Sequence, residues 1–207
     1  MELVLDVYKR PYSKNNPVLC MDESPRQLIK ETRIPIKMKP GSERKFDYEY
    51  ERCGTCNIFM VCEPLTGKRN VKITIRKTKK DWALFIKEIA QKYTEPENIT
   101  LVMDNYCTHK PSSLYEVFTP EEAKKIWDRF EFIYTPKHGS WLNIAEIELS
   151  VLQSQCLSRR IDSIDIVKSE VYKWQEYRNN KDMKVDWQFT TEDARVKLKR
   201  LYPSLHA

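Results

Sequence analysis

Residues 99–105 read ITLVMDN, five uncharged and mostly apolar residues followed at once by Asp104. A run this short, apolar on both faces, predicts a strand buried in a sheet that is covered on both sides. Residues 18–22, VLCMD, repeat the pattern, with Pro17 before them, Pro25 after them and Asp22 at the end. In open α/β sheets, functional groups gather beyond the carboxyl ends of neighbouring strands. If these two strands are adjacent, Asp22 and Asp104 converge, and the same two segments set both the fold and the site.

Working outward, residues 26–45 are polar and basic and predict an extended loop with a short element near 28–32. FDYEYE at 46–51 alternates with period two and predicts a half-buried strand. CGTC at 53–56 predicts a turn, 58–62 a second apolar strand, LTGK at 65–68 another turn, and Val71, Ile73 and Ile75 a third strand. Three strands joined by tight turns make a meander. The period then changes: Trp82, Phe85, Ile86, Ile89, Ala90 and Tyr93 recur at helical steps. Thr119, Pro120 and Glu122 mark a helix start, with the threonine as cap. Residues 130–134 predict a strand stopped by Pro136, and 142–157 a helix. Ile164, Val167, Val171 and Trp174 mark a further helix, and Thr190 or Thr191 caps a last one. A meander feeding a strand–helix–strand unit predicts an α/β fold, a mixed sheet with helices on its faces.

Composition narrows the function classes. With 41% hydrophobic residues in 207, the chain can bury the core of one domain, which argues against disorder. No stretch approaches the ~20 apolar residues that span a bilayer. The opening MELVLDVYKR carries Glu2 and Asp6 and lacks the basic-then-apolar pattern of a signal peptide. Six cysteines without a dense framework fit a reducing cytoplasm. The net charge of +6 is uneven. Residues 9–80 carry 18 Lys and Arg against 8 Asp and Glu, whereas 81–158 carry 7 against 12. A basic block beside an acidic one suits a polyanionic partner next to a site that keeps its carboxylates.

Converging carboxylates are hard oxygen ligands, suited to Mg²⁺ or Mn²⁺ rather than zinc. Two such ions can activate a nucleophile and stabilise a leaving oxygen in phosphoryl transfer. The helix after Pro136 can supply a third acid. Glu146 and Glu148 fall on opposite borders of its apolar face, so periodicity does not choose between them.

VLCMDES, LVMDNYCTHK and YTPKHGSWLNIAEIE resemble the three catalytic blocks of DDE transposases. They are most similar to the insertion sequence 630 family, the bacterial branch of the mariner superfamily. The resemblance covers most of the chain. It implies an RNase H-like fold, a mixed five-stranded sheet flanked by helices, with C-terminal helices. It also implies Asp22 as the first acid and Asp104 as the second, with Asn105 and His109 in the accompanying motif. Leu142 and Asn143 set the register of the third block, which implies Glu146 as the third acid, with Glu148 as fallback. Asp104 and Glu146 lie further apart in sequence than is usual in the family, and the extra length is expected in a helix at 119–128, outside the site. The implied chemistry is cutting of DNA at element ends and joining of the 3′-hydroxyl to target DNA, with two Mg²⁺ or Mn²⁺ ions.

The expected partner is double-stranded DNA, with TA as target, bound by a homodimer in a prokaryotic cytoplasm at the nucleoid. The expected organisation is a catalytic core over 1–160 and a helical extension of the same domain over 161–207. The helix-turn-helix module usual in the family is expected to be absent or supplied by a separate polypeptide. Arg26, Lys30, Arg33, Lys37 and Lys39 are expected to hold phosphates. The alternatives are a non-catalytic DNA-binding remnant and a general RNase H-like nuclease. Cys53 and Cys56 have the spacing of half a zinc site, but no second close pair follows, so a turn is expected there. Ser140 is expected to cap the glutamate helix, and Trp141 to pack in the core or stack on a base.

Overall fold

The structure is a computed structural model that describes residues 1–95 and 97–202. In chain order the elements are α1 (Glu2–Tyr8), β1 (Val18–Glu31), β2 (Tyr50–Glu63), β3 (Lys68–Thr74), α2 (Lys79–Lys92) and β4 (Ile99–Met103). Then come α3 (Pro111–Tyr115), α4 (Pro120–Trp127), β5 (Phe130–Tyr134), α5 (Ile144–Gln155), α6 (Ile164–Asn180) and α7 (Thr191–Lys197). The five strands form one mixed sheet in the order β3-β2-β1-β4-β5. β1, β2 and β3 are antiparallel neighbours, whereas β4 and β5 run parallel to β1.

The meander exists, but its strands are not those the sequence suggested. β1 does not stop at Pro25. It runs for 14 residues and absorbs the first part of the expected loop. Its pairing with β4 ends at Cys20, so beyond that point β1 has a partner only on the β2 side. A proline can occupy such a one-sided stretch because its missing N–H breaks no central ladder. β2 is likewise 14 residues long and contains the segment 53–56 that was expected to turn. The register slips there: Leu28 faces Gly54 and Ile29 faces Arg52. This is a β-bulge, and Gly54 supplies the positive φ of 107° that it needs. Cys56 is buried in the core while Cys53 is exposed, so the pair does not form half of a metal site.

The expected strand at 46–51 is also corrected. Only Tyr50 and Glu51 belong to a strand, because Phe46, Tyr48 and Tyr50 are all exposed and the alternation has no buried face. Residues 32–49 form an excursion closed by the isolated bridges Ile36↔Lys45 and Lys39↔Ser42. Arg160 pins its base, bonding Glu31 at 2.6 Å, Asp47 O at 2.9 Å and Glu49 O at 3.0 Å.

Helices cover both faces. On one, Trp82, Phe85, Ile86 and Ile89 of α2 pack with Leu114, Ala123 and Ile126 against Leu19, Met21, Phe59, Leu101 and Met103. α2 starts in a capping box between Thr78 and Asp81. α4, capped by Thr119, lies on this face, away from α5. On the other face, α1 and the start of α5 pack over Cys20, Val102 and Ile133, while α6 and the end of α5 cover the outer halves of β1 and β2. The C-terminal helices join the same core: Val167, Val171 and Trp174 of α6 are buried there, and α7 packs on α1. No helix among the described residues is long and apolar enough to cross a membrane.

Candidate active site

β1 and β4 pair through Val18↔Thr100, Leu19↔Leu101 and Cys20↔Val102, and there the pairing ends. Asp22 and Asp104 each stand two residues beyond that last pair, one full strand period. Alternation therefore directs both toward the face where Cys20 and Val102 meet the start of α5. Glu146 lies in the first turn of that helix.

Asn143, not Ser140, caps α5. Its Oδ1 accepts from the Ala145 N–H at 3.2 Å, while Ser140 opens a short 3-10 turn. The Asn143 Nδ2 donates to Met21 O at 2.7 Å and reaches Asp22 Oδ2 at 3.4 Å. One capping residue thus ties the helix that carries Glu146 to the strand that carries Asp22. The loop before it turns tightly: His138 has φ 62°, and a Cβ on Gly139 would come within 2.6 Å of the Pro136 ring. Trp141 is half exposed and packs edge-on against Phe189 at 5.5 Å.

Asp22 shows what the arrangement does to charge. Burial, and then the charges of Asp104, Glu23 and Glu146, push its carboxyl up to about 7. Asp104 behaves oppositely. Against the effect of burial, bonds from His109 and the Tyr106 N–H hold it below the usual carboxylate range. Both fall on Oδ1, His109 Nδ1 at 2.7 Å and Tyr106 N at 3.3 Å.

His109 is fully buried beneath Trp82 and bonds acids through both ring nitrogens, since Nε2 lies 2.8 Å from Glu23 Oε1. Burial opposes its charge, yet the bonds to Asp104 and Glu23 push its pKa up to about 9. With a carboxylate oxygen at each ring nitrogen, the surroundings favour the charged ring. Lys77 Nζ lies 3.9 Å from the other Glu23 oxygen and over the Tyr106 ring. An open cavity of 600 Å³ runs from Asp104, Asn105 and Tyr106 to Pro136, Lys137 and His138.

Glu148 has another environment. Arg69 Nε lies 2.9 Å from its Oε2, and Arg178 Nη2 donates to its Oε1 at 3.0 Å. Both carboxylate and Arg69 are buried, and both guanidinium groups lie near the Trp174 ring. This acid joins α5, β3 and α6, and its charge is already matched.

The tightest acidic group among the described residues is Glu23, Asp104 and His109, whose ligand-capable atoms lie within 4.8 Å of one another. Asp22 and Glu146 do not belong to it. Glu23 is the residue that the sequence reading missed. Strand alternation puts it on the face opposite Asp22, toward α2, and an acid buried there needs a cationic partner. Of the residues expected to hold phosphates, Arg26 is engaged by Gln153 and Arg159 O, Lys30 by Glu51, and Arg33 by Asp47. Lys37 and Lys39 are exposed on the excursion, with no ion pair among the described residues.

A carboxylate set of this kind fits Mg²⁺ or Mn²⁺. Its donors are hard oxygens, burial and neighbouring acids raise Asp22 despite the bond from the Glu23 N–H, and Asp104 Oδ2 receives no hydrogen bond from the described residues.

The sequence profile described as DDE superfamily endonuclease matches residues 17–168. No curated protein matches the chain. Among solved structures, the Mos1 mariner paired-end complex with Mn is similar at a TM-score of 0.58 and 14% identity, over 87% of this chain and 54% of that one. The Mos1 strand transfer complex gives 0.58 and 14%, over 84% and 51%. The isolated catalytic domain of the Mos1 transposase gives 0.55 and 11%, over 84% and 76%. The shared element is the RNase H-like sheet. The chain spans about half the length of the transposases in those complexes.

Proposed function

This chain belongs to the DDE superfamily of endonucleases, and on that premise we propose that it is the catalytic domain of a transposase of the insertion sequence 630 branch. It cuts DNA at element ends and joins the freed 3′-hydroxyl to target DNA. The observation that carries this is the placement of Asp22 and Asp104 one strand period beyond the last β1–β4 pair, with the first turn of α5 facing them. Asp22, Asp104 and Glu146 would hold two Mg²⁺ or Mn²⁺ ions. Bound there, the ions would supply activation of the attacking oxygen and stabilisation of the leaving one.

The chain's own groups do the remaining work. Asn143 fixes the start of α5 against Asp22, and His109 fixes Asp104. The cavity beyond Asp104 offers Lys137 and His138 to a phosphodiester backbone, and Lys37 and Lys39 offer further charge. Glu148 is not a fallback ligand in this scheme, because Arg69 and Arg178 already occupy it. Residues 1–160 are the catalytic core and 161–207 its helical extension; residues 203–207 lie outside those described. We place the protein in a prokaryotic cytoplasm at the nucleoid. It acts as a homodimer at TA sites, with end recognition by a helix-turn-helix polypeptide.

The test is Mg²⁺-dependent nicking of duplex DNA carrying the element ends. Asp22→Ala and Asp104→Asn should abolish it with circular dichroism unchanged, and full nicking by either variant sinks the assignment. DNA binding with no metal-dependent cleavage by the wild type would identify a non-catalytic remnant instead. Preference for RNA–DNA hybrids would identify a general nuclease.

A further inference from the structure

The site as proposed leaves one buried acid without a task. Glu23 is next to Asp22 in sequence, its side chain is 1% exposed, and strand alternation sets it on the sheet face opposite Asp22, where it meets His109. Its shortest contact is the 2.8 Å bond from His109 Nε2 to Oε1, and Lys77 Nζ lies 3.9 Å from Oε2. His109 in turn holds Asp104 Oδ1 at 2.7 Å and Asp104 O at 3.1 Å. Trp82 packs beside the ring at 5.6 Å, and the Tyr134 hydroxyl bonds the His109 carbonyl at 3.1 Å, so ring and backbone are both held.

We propose that Glu23 is a positioning residue for the metal centre. Through His109 it fixes the Asp104 carboxylate so that Oδ1 stays engaged and Oδ2 would remain available to a metal ion. This deepens the proposed function and rests on its metal reading. The geometry explains why the bridge has three members. A carboxylate bonded at one oxygen can rotate about its last bond unless the donor is itself held, and a buried imidazole stays put only when its far nitrogen also has an acceptor. Glu23 is that acceptor, and it leaves from the same strand as Asp22. The first two acids are thereby tied to one backbone segment, Asp22 by the chain and Asp104 through His109.

Both ring nitrogens are taken by carboxylate oxygens, so an ion ligated by His109 would have to displace one of those bonds. The second oxygens of Glu23 and Asp104 are not bonded by His109, so positioning and direct ligation by Glu23 are separated by the variants.

Two variants test the role. Glu23→Gln keeps an acceptor for Nε2, whereas Glu23→Leu keeps the volume and removes it. Mn²⁺ binding is followed by electron paramagnetic resonance, and the His109 ring N–H protons by NMR in metal-free protein. The expected result is that Glu23→Leu weakens Mn²⁺ binding by about 10–100-fold at unchanged stoichiometry. It should also lose the protected ring N–H signal, while Glu23→Gln retains both properties. Folding of Glu23→Leu is checked by circular dichroism, and Glu23→Gln keeps the question answerable if the leucine variant fails to fold. Unchanged Mn²⁺ affinity in Glu23→Leu, with only its melting temperature lowered, would reduce Glu23 to a structural part and overturn the proposal. Loss of one bound ion in Glu23→Gln would make it a ligand and overturn it equally. A wild type whose Mn²⁺ binding is insensitive to Asp104→Asn would instead bring down the metal reading itself, and the ion-aiming role with it.

Discussion

Glu146 and Glu148 sit two residues apart on α5 and have opposite surroundings. Glu148 is sealed between Arg69 and Arg178, with its charge matched and no route to solvent. Glu146 lies in the first turn of α5, and its charge is one of those that, after burial, push the Asp22 carboxyl up to about 7. An acid buried with its own cations is part of the framework. Asp22 has no such cation against it among the described residues, and the proposed function assigns that role to a metal ion. The two regions share a helix, so the first also sets the rotation of the second.

The largest effect should come from breaking the matched side. Arg69→Met leaves Glu148 buried with half its partners and should cost about 3–5 kcal/mol in urea unfolding. A loss near zero would mean that Glu148 is not the anchor described here.

The unmatched side should respond with the opposite sign. The folded-state pKa of Asp22 lies above its unfolded value, so the folded chain holds that proton more tightly. Its contribution is fully present below the unfolded pKa and is lost as pH rises through about 7. In metal-free protein, Asp22→Asn should therefore be more stable than wild type by about 2 kcal/mol at pH 8, an amount discounted for solvent, with the difference shrinking toward pH 4. Destabilisation at pH 8 would mean that Asp22 is held by favourable contacts and that the repulsion is absent.

A smaller effect should separate the link between the regions. Asn143→Ala removes the cap of α5 and should cost about 1 kcal/mol. Because the same side chain reaches Asp22, this variant should also weaken Mn²⁺ binding, whereas Thr119→Ala at the cap of α4 should not. Equal Mn²⁺ affinities in the two cap variants would uncouple α5 from the site.

Much of this was legible in the chain. The short apolar runs of β4 and β5, the α2 stripe and the Thr119 cap follow directly from period and capping chemistry, and both strand-end aspartates were visible as acids that follow apolar runs. The long outer halves of β1 and β2 were not. Pro25 and Gly54 read as stops, yet one occupies a stretch paired on a single side and the other a bulge. Residues 46–51 alternate without facing a core. At the site, periodicity could not separate Glu146 from Glu148, because the arginines that claim Glu148 come from β3 and α6. Glu23 was overlooked for a similar reason: its partner, His109, is brought in by the loop after β4.

The claim that the acids around Asp22 await a cation is tested most directly by Mn²⁺ titration of the wild type and Asp22→Asn, followed by thermal unfolding. The account predicts that Mn²⁺ raises the wild-type melting temperature in a saturable way and leaves Asp22→Asn nearly unmoved. An equal rise in both proteins would contradict it.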